Sequence, residues 1–244
     1  MTALAVTLAA LGTALATGLG AIPFLFFRHP DRRWLGLANA LASGFMIGAS
    51  VGLALEGADY GTERMLLGLA AGALFMALTG RFLGRGRERE PHLGALRGAD
   101  ALRALLIVGV MTVHSFSEGV GVGVAFGAGE TFGALIAVAI AVHNIPEGLA
   151  ISLVLVPRGV SVWRAAGWSV FSSLPQPLMA LPAFLFVETF EPFLPVGLGF
   201  AAGAMLWLVV TELLPEALGE ARLATVVLTV VVSAAAMIAF QTLL

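Results

Sequence analysis

The chain has 244 residues, 59% hydrophobic and 11% charged, with a mean hydropathy of +0.98 and a formal net charge of −2. A water-soluble domain of this size cannot hide so much apolar surface, so lipid is the solvent, and no basic surface offers a footing for nucleic acid. Cysteine is absent, which excludes disulfides, thiolate metal sites and cysteine redox chemistry.

Taken in chain order, nearly uncharged runs predict eight membrane-spanning helices, over roughly 2–27, 35–55, 65–84, 102–127, 131–156, 163–187, 193–214 and 223–243. The segments are too long and too continuously apolar for barrel strands. The fold class is therefore all-α, a polytopic membrane protein with residues 1–244 forming one transmembrane domain. The first run is not a cleavable leader by pattern, because its basic residues follow it (Arg28, Arg32, Arg33). In the third span Arg81 must snorkel to the interface.

All 13 basic residues are arginine. Twelve fall on one side of the predicted membrane: Arg28, Arg32 and Arg33 after span one, six around the 3–4 connection, Arg158 and Arg164 around the 5–6 connection, and Arg222 after span seven. The other side holds Arg64 with Glu56, Asp59, Glu63, Glu130, Glu188 and Glu191. This asymmetry predicts cytoplasmic arginine loops and both termini outside. The longest connection, 84–101, reads as a short polar cytoplasmic loop. His29 and His92 read as surface groups in loops.

Spans four and five carry the chemistry. His114 and Glu118, and again His143 and Glu147, stand four residues apart, on one face of a helix. Ionisable groups at bilayer depth are costly and mark ion or proton paths. The Gly127-Ala128-Gly129-Glu130 connection makes the two spans an antiparallel hairpin, and both histidines lie about 20 Å from that turn, near the midplane. In straight helices Glu118 and Glu147 would stand about 12 Å apart along the axis. Pro146 and the glycines at 119, 121, 123 and 148 permit kinking and close packing. The pairs then either surround one ion or form a ladder of separate groups.

Other polar groups sit at similar depth. Met46 in span two fits core packing as well as an edge of the site. Gln176 lies in the Pro-broken run Ser172-Ser173-Leu174-Pro175-Gln176-Pro177, and irregular backbone inside a membrane must be covered by protein or face a cavity. Ser115 and Asn144 point about 100° from their neighbouring histidines. Glu212, with Glu216 a turn beyond, is either a helix-end acid or a guide for a departing cation.

These motifs resemble the ZIP (zinc- and iron-regulated transporter-like) family. The resemblance rests on His143-Asn144-Ile145-Pro146-Glu147-Gly148 and His114-Ser115-Phe116-Ser117-Glu118-Gly119. It is supported by Gly44-Phe45-Met46, by Ser173-Leu174-Pro175-Gln176-Pro177-Leu178, and by Ala202-Gly203-Ala204-Met205 through Glu212-Leu213-Leu214-Pro215-Glu216. It implies that His114, Glu118, His143 and Glu147 hold the transported metal with Met46 at its edge. It also implies that Ser115, Asn144 and Gln176 stand where two-metal members bind a second ion. Neutral groups at those three positions predict one well-bound metal. The histidine-rich 3–4 loop of the family is missing, which argues against metal sensing there. Many members are homodimers, and their site-bearing helices are thought to slide against a static group.

Two imidazoles and two carboxylates suit zinc first, with iron(II), cobalt, cadmium or manganese as competitors. Calcium and magnesium prefer all-oxygen shells. The expected function is transport of such a dication, as substrate rather than cofactor, across the plasma or inner membrane into the cytoplasm. Two other readings stay open. An intramembrane metal hydrolase would need a general base where Ser115 and Asn144 stand. A metal-free, proton-coupled carrier of a small solute would not bind zinc.

Overall fold

A computed structural model describes residues 2–26, 31–85, 92–93 and 96–243; the surface readings of His29 and of the His92 side chain, and residues 86–91 and 94–95 of the predicted loop, lie outside what it describes. Helix α1 (Ala3–Gly18) continues through a 3₁₀ turn (Leu19–Ala21) into α2 (Pro23–Phe26). The Thr2 hydroxyl caps α1 by accepting from the Ala5 N–H. Helix α3 (Arg32–Arg85) starts earlier than the apolar pattern suggests because Asp31 caps it, its Oδ1 accepting from the Trp34 N–H at 2.8 Å.

Gly61 interrupts α3 with φ 153° and ψ 98°, a conformation that only glycine adopts cheaply. A methyl group at Gly57 would lie 2.9 Å from Met65 Cγ. Eight residues rise about 12 Å in a straight helix, so the chain reverses here and α3 is two antiparallel segments. Strands of two residues, β1 (His92–Leu93) and β2 (Leu96–Arg97), pair antiparallel before α4 (Gly98–Ala128). That helix begins four residues before the predicted span. Only Gly129 separates it from α5 (Glu130–Leu155), which runs on through Pro146.

The predicted sixth span is divided. Helix α6 (Val162–Ser173) stops, and α7 (Pro175–Leu185) restarts with proline at its first position, where the missing N–H costs nothing. A short α8 (Val187–Phe190) leads to α9 (Leu194–Leu208), a π turn (Val209–Leu213), α10 (Leu214–Glu220) and α11 (Leu223–Leu243). Among the described residues, six helical stretches are long and apolar enough to cross a membrane, and the Arg32–Arg81 stretch is counted once although it reverses.

The helices form two bodies. In one, α3 packs against α9, α10 and α11; in the other, α1, α4, α5, α6 and α7 pack on one another. Close glycine contacts lie within each body. Methyl groups at Gly68 and Gly72 would overlap the Val196 and Phe200 carbonyls, and at Gly199 and Gly203 those of Met65 and Leu69. Two small-x-x-x-small seams thus interlock backbone to backbone. Gly44, Gly48 and Gly52 seat α11 in the same way. Between the bodies, α4 meets α9 and α3 meets α5. There the contact of Gly197 with Ser117 is an ordinary 3.7 Å.

Candidate metal centre

The hairpin of α4 and α5 brings His114, Glu118, His143 and Glu147 into one buried cluster, with a ligand atom from each within 4.8 Å of the others. All four are at least 96% buried. His114 Nε2 lies 3.3 Å from Glu118 Oε1 and 2.9 Å from Glu147 Oε1; His143 Nε2 lies 3.7 and 3.3 Å from the same two oxygens. The imidazoles stack 5.9 Å apart at 20°. The arrangement is a single knot, not a ladder.

These nitrogens and oxygens make no hydrogen bond of acceptable geometry. A buried polar atom without a partner costs about 1–3 kcal/mol, and a set of them side by side could share one ion. The four nitrogen–oxygen separations match the edge of a tetrahedron, about 3.4 Å for metal–ligand bonds of about 2.1 Å. The donor chemistry and the spacing both fit a small transition-metal dication.

The glycine after each glutamate sets the approach of the neighbouring helix. At Gly119 a methyl group would come 2.5 Å from the Gln176 carbonyl oxygen and 2.8 Å from its Cα, so α7 rests on α4 there. At Gly148 a methyl would overlap the Thr17 carbonyl, and at Gly20 it would overlap the backbone of α5. Helix α1 therefore crosses α5 in backbone contact.

This crossing brings in residues that the sequence analysis did not select. Thr13 and Thr17 on α1 are buried. Thr17 Oγ1 and Ser173 Oγ share a hydrogen bond at 2.7 Å. Thr13 and Asn144 both reach Gln176, and Gln176 Nε2 donates to Glu118 Oε2 at 2.6 Å. Ser115 is fully buried with its hydroxyl unpartnered. Met46 is buried in the main apolar core, which Leu149, Ala150 and Ile151 share. Glu212 sits half-buried in the π turn, a distortion that recurs at functional sites. Glu216 lies 3.7 Å from Arg158 Nη2.

A buried, facing set of two histidines and two glutamates in an all-helical, multi-pass membrane protein defines a metal-handling membrane protein. The family profile described as ZIP Zinc transporter matches residues 86–240. Over 241 residues the chain is 48% identical to "Putative zinc transporter At3g08650" of Arabidopsis thaliana, which covers 98% of this chain but 38% of that protein. It is 36% identical to "Zinc transporter GufA" of Myxococcus xanthus, covering 82% of this chain and 84% of the relative. It is 39% identical to "Zinc transporter ZIP11" of Xenopus tropicalis over 56% of this chain and 44% of the relative. The chain belongs to the ZIP zinc transporter family, a family of transporters and not of enzymes.

Proposed function

We propose that this protein carries a divalent transition metal, zinc first, into the cytoplasm across the plasma or inner membrane. The observation that carries the reading is the knot of His114, Glu118, His143 and Glu147, whose facing nitrogens and oxygens lie 2.9–3.7 Å apart without hydrogen bonds. Two carboxylates neutralise one dication, so the loaded site crosses the low-dielectric interior without net charge. Met46 borders the site as a soft thioether, and Glu212 with Glu216 receives the ion on the cytoplasmic side.

The topology in this reading has eight passes: the two halves of α3 count separately, and α6 with α7 forms one broken pass. Both termini are then outside, as the arginine distribution requires. Access alternates by movement of the body containing α1 and α4–α7 against the body containing α3 and α9–α11. Support comes from the glycines, whose contacts tighter than 3.0 Å all join helices of one body among the described residues. A metal-free proton carrier is disfavoured because the Nε2 atoms of both imidazoles converge on the same oxygen of each carboxylate, the arrangement a shared ion calls for.

The test is flux of zinc, iron(II) and cadmium into proteoliposomes for wild type and for His143→Ala combined with Glu147→Ala. Flux in the wild type and its loss in the variant are expected. Equal flux in both would remove the site assignment.

A further inference from the structure

Gln176 and Asn144 stand beside the knot with amide groups, and the direction of each amide is set by a chain of hydrogen bonds that starts on a different helix. Asn144 Nδ2 donates to the backbone carbonyl of Thr13 at 2.8 Å and to Gln176 Oε1 at 3.1 Å. Gln176 Nε2 donates to Glu118 Oε2 at 2.6 Å. The Thr13 hydroxyl lies 2.6 Å from Gln176 Oε1 and 2.7 Å from the Ala10 carbonyl, with one proton to give to either. Asn144, Gln176 and Glu118 are each at least 99% buried.

A backbone carbonyl can only accept, and it cannot turn over. It therefore requires the NH₂ of Asn144 on its side, because a rotated amide would set two acceptors face to face. The same NH₂ requires the carbonyl of Gln176 on its side. The NH₂ of Gln176 is then left pointing at Glu118, which as a carboxylate only accepts. One Glu118 oxygen is engaged and the other, Oε1, faces His114 and His143. Neither amide can be reversed alone without placing like groups together.

We infer that Asn144 and Gln176 form a directional relay, anchored on the Thr13 carbonyl, that positions Glu118 with Oε1 turned to the two histidines. This rests on the metal-site reading above. Both are positioning residues that act through Glu118. The close crossing of α1 and α5 at Gly20, Thr17 and Gly148 brings the Thr13 carbonyl within reach, so the first helix helps aim the carboxylate.

The experiment is zinc calorimetry on the purified full chain, with a carboxylate infrared band recorded alongside. Wild type binds one equivalent. Gln176→Met and Asn144→Leu each keep one equivalent but weaken it by about 10–100-fold, and the Gln176→Met band of Glu118 shifts as it loses its donor. The double variant is no weaker than the worse single variant, because both break one relay. If Asn144→Leu does not fold, Asn144→Ala removes the same N–H donors without adding charge and takes its place in the cycle. Losses that add in the double variant or an unmoved carboxylate band would overturn the relay. No binding by wild type would instead overturn the metal-site reading itself.

Discussion

Replacing Gly148 with alanine changes no metal ligand, yet should damage the site. The added methyl would overlap the Thr17 carbonyl oxygen and lie 2.8 Å from its carbon and 3.4 Å from Gly20 Cα. Ordinary carbon–carbon contact is about 3.5–4.0 Å, so α1 and α5 must part by about 1 Å. The bond from Asn144 Nδ2 to the Thr13 carbonyl, 2.8 Å long, would then stretch beyond hydrogen-bonding range. Overpacking costs about 1–3 kcal/mol and the orphaned buried donor about 1–3 more. A total of about 2–6 kcal/mol lowers the unfolding temperature by roughly 5–20 °C for a chain of this size. Thermal unfolding of the purified protein and zinc flux in proteoliposomes measure it. Gly109→Ala is the control, because nothing lies within 4 Å of a methyl there. A Gly148→Ala protein with wild-type melting and flux would refute the claim that this crossing holds the site together.

The remaining predictions concern the proton and the motion. Zinc binding needs both imidazoles neutral, so affinity is retained at high pH and lost as pH falls. Each imidazole that takes up a proton must release it before it can ligate, so affinity should fall by at least about tenfold between pH 7.5 and 5.5. A flat calorimetric profile over that range would count against ligation by His114 and His143. For the motion, a methyl at Gly197 would stand 3.7 Å from Ser117 Cβ, within the span of a disulfide. In a chain without native cysteine, oxidation of the Ser117→Cys, Gly197→Cys pair should stop flux and leave zinc binding intact. Flux unchanged by a formed cross-link would refute sliding of the two bodies.

How far the sequence reveals the site depends on whether a feature is local. The pairing of His114 with Glu118 and of His143 with Glu147 follows from helical spacing, and their equal depth follows from the turn at Gly129. The break at Pro175 follows from proline chemistry. Whether the pairs surround one point or form a ladder does not follow, because it depends on how closely α4 and α5 approach, and that is a property of two surfaces. Thr13 is hidden for a related reason. Threonine in a membrane helix satisfies its own hydroxyl, here at the Ala10 carbonyl, so a lone threonine gives no signal. The spacing of Thr13, Thr17 and Gly20 along one face would have given one. The reversal at Gly61 lay between predicted spans, but a run of α3 from Arg32 to Arg85 shows how little irregular chain it needs. The π turn at Glu212 has no residue pattern that separates it from an ordinary helix.

The distribution of glycine joins stability to the proposed transport. A membrane interior offers no hydrophobic gain for pressing two apolar helices together, so close packing relies on backbone contact at small residues. Gly68 and Gly72 against α9, with Gly199 and Gly203 against α3, tie the antiparallel scaffold at four points. Gly119 and Gly148 tie the helices of the metal knot to α7 and α1. Contacts of this kind fix register, because sliding by one residue puts a methyl or larger group where no space exists. At Gly197 and Ser117, by contrast, the two bodies meet at an ordinary 3.7 Å, and contact of that kind can change register without first coming apart. The proposed motion requires donor atoms kept within tenths of an ångström while the whole site moves by much more. Rigid seams inside each body and looser contact between them would meet both demands, and the glycines after Glu118 and Glu147 would then matter to the metal although neither can bind it.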